Sequence, residues 1–270
     1  MKLDRRPWEV SVVPWDSSQW VFRDRLEQGY TLVLPGILGS DPWDHSIVQG
    51  LKDADVPLAI EMYDWTLGPF LLPVNLRALE RNRDEAQKAA QKIVAYQDAH
   101  PGRPVNVIGY SGGAAVAVFA LEKLPPDRKV GTAILIAPTL APDYDLQTAA
   151  SRTERGIQNY YSPMDMPFLM AMTTAVGTTD GRHTFAAGAI GFQVPDTVAP
   201  DGREAYAAKL FQSGYSLDMI RYGHAGGHFG WSSRALVAQL IAPRLIAPAT
   251  ETGASQSEAA LAAVPSSSVR

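Results

Sequence analysis

The run Val105-Asn106-Val107-Ile108-Gly109-Tyr110-Ser111-Gly112-Gly113 constrains this chain more than any other stretch. Val105, Val107 and Ile108 form a short β-branched series suited to a buried strand. Residues 114–124 are apolar, rich in small side chains and of helical length. A strand, a tight turn tipped by serine and a helix are the context in which Gly-x-Ser-x-Gly forms a nucleophile elbow. Such a turn holds Ser111 at strained backbone angles and pushes its hydroxyl outward. Gly109 and Gly113 let strand and helix pass closely, because neither carries a Cβ. The competing reading is a glycine-rich turn whose serine merely caps the helix.

The flanking segments alternate in the same way. Residues 31–34 spell a strand that runs into Pro35-Gly36-Ile37-Leu38-Gly39-Ser40, a glycine-rich loop with free backbone N–H groups. Residues 46–51 predict a brief helix and 58–63 the next strand. A longer helix is expected from Asn82 as N-cap, with Glu85 in its first turn. Ala86, Ala89, Ala90, Ile93 and Val94 would make its apolar stripe. His100-Pro101-Gly102 ends it, and His100 is expected in solvent.

Residues 130–137 are almost continuously apolar, as in a strand covered on both faces. Asp143 and Asp145 open an expected helix reaching about Arg155. Strands are expected at 157–161 and, last, at 217–222, with a closing helix at 235–241 capped by Ser232 or Ser233. An edge strand is expected at 9–13. The pattern predicts an α/β fold, a doubly wound, mostly parallel β-sheet with helices on both faces.

With 270 residues, 46% of them hydrophobic, the chain can bury one large core. The expected organisation is an N-terminal segment 1–27 packed on a domain at 28–247, with an insertion at 166–200 and a disordered tail at 248–270. The net charge of −4 and the lack of basic runs argue against nucleic acid and anionic membranes as partners. Without cysteine, disulfides and thiolate metal sites are excluded. No apolar leader or membrane-length stretch is present, so a cytoplasmic location is expected.

Nucleotide-binding glycine loops do not occur at the required spacing. His224 and His228 are four apart in a stretch too rich in glycine to be helical, which argues against a zinc pair. Asp41, Asp44 and Asp53 near His45 read as a solvated face, not a metal cluster. Met164, Met166, Phe168, Leu169, Met170 and Met172 read as core packing or as a flexible apolar pocket wall.

A serine hydroxyl attacks only when a base takes its proton, and histidine suits that task. The histidine needs a carboxylate to fix its tautomer. The chain offers Ser111, then Asp165 in a Ser-Pro-x-Asp turn after a strand, then His228 between the last strand and last helix. Asp143 and Asp145 also follow a strand, but acidic residues opening a helix are favoured there without catalysis. His224 is the reserve base.

On these marks, over about residues 28–245, the chain resembles the α/β-hydrolase superfamily, whose triad follows the order serine, acid, histidine. The resemblance implies a serine esterase or lipase-like enzyme with Ser111, Asp165 and His228 as triad. It implies an oxyanion hole from the backbone N–H groups of Gly112 and Ile37, and no metal or organic cofactor. Pro35-Gly36 stands where such proteins usually have His-Gly, which leaves Leu38 as an alternative donor. The expected substrate is a small ester-like molecule with an apolar portion. Thioester or amide hydrolysis, acyl transfer and a non-catalytic binding role would use the same fold.

Overall fold

The computed structural model describes residues 20–165 and 177–246. The expected strand at 9–13, most of the methionine-rich segment and the tail from 248 lie outside the described residues. One seven-stranded sheet organises the rest. In chain order its strands are β1 (Trp20–Val21), β2 (Tyr30–Leu34), β3 (Ala59–Met62), β4 (Val105–Tyr110), β5 (Ala133–Ile136), β6 (Ile157–Tyr161) and β7 (Leu210–Gly214). Their spatial order is β1-β3-β2-β4-β5-β6-β7, and only the β1–β3 pairing is antiparallel.

The main helices are α1 (Pro42–Asp53), α2 (Leu72–Arg77), α3 (Leu79–Ala99), α4 (Gly112–Lys123) and α5 (Gln147–Ser151). Alternation along the strands divides the core in two. Leu32, Leu34, Val105, Val107, Ala133 and Leu135 face α3 and α4, with Ala86, Ala90, Ile93 and the apolar length of α4 packed on them. Val33, Ile108, Ile134 and Ile136 face α1 and the closing helix through Ile47, Leu51, Val237 and Ile241. Each central strand is therefore covered on both sides, as its unbroken apolar letters require. The doubly wound, mostly parallel sheet is as the sequence predicts.

Several local expectations are corrected. Residues 217–222 form a 3-10 helix, not the last strand. Leu217 and Ile220 are 74% and 55% exposed and only Met219 is buried, so these apolar residues do not line one sheet face. The last strand is β7, a half-buried edge. Asn82 is no N-cap; it is buried inside α3, where its amide donates to the Asn75 carbonyl at 2.8 Å. The stretch 130–137 narrows to β5, with Val130 making only an isolated bridge to Thr153.

The helix expected from Asp143 to Arg155 shrinks to α5, with Asp145 accepting from the Gln147 N–H at 2.9 Å. Ser233 precedes the closing helix but spends its hydroxyl on the Tyr222 carbonyl, and Val237–Ile241 is a π turn within that helix. His100 is packed, stacked on Tyr96 at 4.6 Å and 3.2 Å from Glu27.

Candidate active site

Ser111 leaves β4 with φ 54° and ψ −118°, a conformation that L-residues avoid unless their surroundings impose it. The surroundings are visible. Its N–H donates to the Ile136 carbonyl at 2.8 Å, tying the turn to β5. A Cβ on Gly113 would run into the carbonyl oxygens of Leu34 and Pro35, and one on Gly109 into the backbone of Ala114 at 2.5 Å. Helix α4 therefore starts tight against the end of β2, and Ser111 is the corner that remains. The capping alternative is not realised, since the Ser111 side chain makes no cap hydrogen bond.

The Ser111 hydroxyl lies 3.1 Å from Nε2 of His228, and Nδ1 of the same ring lies 2.6 Å from Oδ2 of Asp165. All three side chains are buried or nearly so. Tyr110 stacks on the His228 ring at 5.2 Å, and its hydroxyl donates to the His228 carbonyl at 3.3 Å. Phe229 packs edge-on against the ring at 5.5 Å. Asp165 sits in a 3-10 turn (Pro163–Asp165) after β6, closed by its own N–H donating to the Ser162 carbonyl. Ser162 also donates its hydroxyl to the Gly226 carbonyl, which fastens the acid turn to the histidine loop.

Burial raises the Asp165 carboxyl above its ordinary range, while its hydrogen bond to His228 and the charge there pull it back. Its Oδ1 has no partner among the described residues.

His224 is turned elsewhere. Its Nδ1 accepts from the Gly226 N–H at 3.1 Å, and its ring lies edge-on between Trp231 (4.3 Å) and Tyr215 (4.8 Å). Burial pushes its pKa down to about 4, so it is a neutral spacer at pH 7. Asp143 pairs with Arg182, which lowers its carboxyl, and Asp145 accepts from the Gln147 N–H before α5. Neither meets Ser111 or His228. Among the described residues no three histidines or acids are grouped to hold a metal ion.

The loop 35–40 passes beside the elbow. A Cβ on Gly36 would lie 3.6 Å from Cβ of Ser111, and one on Gly112 would strike Cγ2 of Ile37. The loop thus passes Ser111 at Gly36 and packs the Ile37 side chain on Gly112. Gly112 opens α4, where the first N–H groups have no intrahelical acceptor.

Asp44 differs from its expected solvated place. It is fully buried, and its Oδ1 accepts the Gly36 N–H at 3.1 Å. Asp41 is instead the N-cap of α1, and Asp53 pairs with Arg234 at the surface. The spacing carried the signal for Asp44: it stands three, four and seven residues before Ile47, Val48 and Leu51, on the helix face that those residues bury. Asn75, Trp65 and Ser162 also bind this edge, and nothing in their local sequence marks them.

A strained serine elbow after a central strand, in a mostly parallel sheet with one antiparallel edge, decides the architecture. The chain has the α/β-hydrolase fold. Solved structures with a similar fold include Est1E from Butyrivibrio proteoclasticus, at 9% identity over 84% of this chain and 92% of that one, with a TM-score of 0.47. A dienelactone hydrolase from Anabaena variabilis is 16% identical over 80% and 84%, with a TM-score of 0.45. A dienelactone hydrolase-like promiscuous phosphotriesterase from metagenomic libraries is 14% identical over 78% and 83%, with a TM-score of 0.43. No protein-family model matches the chain, and no curated protein matches it. Likeness this distant says nothing about chemistry. No helix among the described residues is long and apolar enough to cross a membrane.

Proposed function

We propose that this protein is a serine hydrolase that cleaves a carboxylic ester through a covalent acyl-Ser111 intermediate. The observation that carries the reading is the unbroken line from Ser111 Oγ to His228 Nε2 (3.1 Å) and from His228 Nδ1 to Asp165 Oδ2 (2.6 Å). Along that line His228 takes the serine proton as Oγ attacks the ester carbonyl. Asp165 keeps the other ring nitrogen protonated and stabilises the imidazolium that forms. The oxyanion is received by the N–H groups of Ile37 and Gly112. His228 then returns its proton to the departing alcohol, and water repeats the sequence on the acyl-enzyme to release acid and free serine.

The substrate is a small molecule with an apolar portion. Trp43 and Phe229 pack tilted on one another at 4.4 Å and stay partly exposed beside His228. Leu67 and Phe70, the latter 96% exposed, belong to the segment that Asn75 ties to Ile37. These side chains suit an aliphatic or aromatic ester group better than a charged one.

A panel of p-nitrophenyl esters of increasing acyl length tests the reading. Turnover by the wild type that rises from acetyl to longer chains and disappears in Ser111→Ala is the expected result. No turnover of any ester, or turnover that survives Ser111→Ala, contradicts it.

A further inference from the structure

The loop 35–40 is largely buried, and its backbone is held by side chains from other segments. The Pro35 carbonyl accepts Trp65 Nε1–H at 2.7 Å. The Gly36 N–H donates to Asp44 at 3.1 Å, and the Gly36 carbonyl accepts the Gly39 N–H at 3.0 Å. The Ile37 carbonyl accepts Asn75 Nδ2–H at 2.9 Å, the Gly39 carbonyl accepts the Asp41 N–H at 2.7 Å, and the Ser40 N–H donates to Asp64 at 3.1 Å. Among the described residues, the N–H groups of Ile37 and Leu38 have no acceptor. The bonds around them fix the peptide planes on either side of Ile37 and leave its donor available.

We propose that Asp44 is a positioning residue that sets the oxyanion-hole donor at Ile37 by gripping the Gly36 N–H. The inference rests on the serine-hydrolase reading. Its starting point is a cost: Asp44 is fully buried, with Oδ2 lacking any partner among the described residues. A buried carboxyl with half its capacity unused is unfavourable, so its presence calls for a reason. One candidate reason is the α1 dipole, since Asp44 lies in the first turn. That role needs a negative charge, whereas gripping an N–H needs only an acceptor oxygen.

Burial and the nearby Asp41 drive the Asp44 carboxyl well above its ordinary range, which favours the neutral acid. A neutral acid retains a carbonyl oxygen for Gly36, as does an asparagine. The two roles therefore separate by substitution. Asp44→Asn keeps an acceptor without charge; Asp44→Leu keeps the volume without an acceptor.

The test compares wild type, Asp44→Asn and Asp44→Leu on the best p-nitrophenyl ester and with an aryl trifluoromethyl ketone, whose serine adduct carries the oxyanion. Asp44→Leu should lose about 100-fold in kcat with KM nearly unchanged, the size of effect of one oxyanion donor. Its affinity for the ketone should weaken by a similar factor, and Asp44→Asn should stay near wild type in both. Should Asp44→Leu not fold, Asp44→Ser, whose hydroxyl is too short to reach Gly36, carries the same comparison.

Wild-type kcat in the folded acceptor-less variant overturns the proposal. So does equal loss in Asp44→Asn, or a kcat loss that leaves ketone affinity unmoved. Ser111→Ala separates the two levels: if it keeps full activity, the hydrolase reading falls and this inference with it. If Ser111→Ala is inactive while Asp44→Leu is fully active, only the role of Asp44 is wrong.

Discussion

The elbow at Ser111 and the loop 35–40 lie side by side at the carboxyl edge of the sheet, yet they are held by different means. The elbow is fixed by backbone: a strand on one side, a helix on the other, and glycines that let them touch Leu34, Pro35 and each other. The loop is fixed by side chains from three separate places, Asp44 on α1, Trp65 and Asp64 after β3, and Asn75 on α2. The two therefore differ in what a substitution should break. Damage to the elbow reaches the fold, because the same contacts pack α4 into the core. Damage to the loop should reach chemistry first, because the loop carries little of the core.

The proposed triad, which begins at the elbow, gives the largest effect. Asp165→Asn replaces the carboxylate by a neutral amide whose NH₂ can donate to Nδ1 and hold the ring in the wrong tautomer, and kcat should fall on the order of 10⁴-fold with the melting temperature little changed. Asp143→Asn and Asp145→Asn should keep near-wild-type kcat, since both carboxylates serve surface contacts. If either gave the large loss and Asp165→Asn did not, the acid has been assigned wrongly.

Gly113→Ala comes next and tests the elbow side. The added methyl meets two backbone carbonyls that cannot move independently, and overpacking of this kind costs about 3 kcal/mol. Chemical denaturation should show a midpoint far below wild type, or no folded protein at all. A stable, active Gly113→Ala would mean that the strand–helix contact does not govern the elbow.

A similar energy is expected from His224, read through pH. Its pKa is about 4 in the folded protein against an ordinary 6.5, so the unfolded chain binds a proton that the folded chain refuses between those values. Stability is complete above pH 6.5 and falls as pH drops towards 4, by at most about 3 kcal/mol. The difference in unfolding free energy between wild type and His224→Gln, followed from pH 7 to pH 4, should shrink across that window. A difference independent of pH would show that His224 titrates normally.

The smallest effect belongs to the loop side. Trp65→Phe removes the donor to the Pro35 carbonyl but keeps most of the buried ring, so the stability loss should be about 1 kcal/mol. In that variant kcat should drop by a larger factor than stability alone explains. An unchanged kcat would indicate that the loop keeps its shape without this bond.

The same contrast explains what the amino-acid sequence revealed. The elbow and the central strands are written in contiguous residues, a β-branched run, glycines at fixed offsets and a small-residue helix, so their geometry is local and legible. The meeting of Ser111, Asp165 and His228 was legible only through chain order, because the contacts span 117 and 63 residues. Asp44 was misread because an acid near other acids looks solvated until helix periodicity places it among Ile47, Val48 and Leu51. Asn75 and Ser162 act on backbone groups far away in the chain, at Ile37 and Gly226, and polar residues in such loops look alike locally. The edge strand β7 was missed for residues 217–222 because edge pairing asks little of side-chain burial, whereas three apolar residues in six gave a false signal.

The central claim is that Ser111 is a nucleophile activated by His228 and not by His224. An alkyl fluorophosphonate probe, followed by intact-protein mass, tests it without any assumption about substrate. The account predicts one probe adduct on wild type, none on Ser111→Ala, very slow labelling of His228→Ala, and labelling of His224→Ala close to wild type. Equal labelling of wild type and Ser111→Ala, or fast labelling of His228→Ala with loss in a folded His224→Ala, would contradict it.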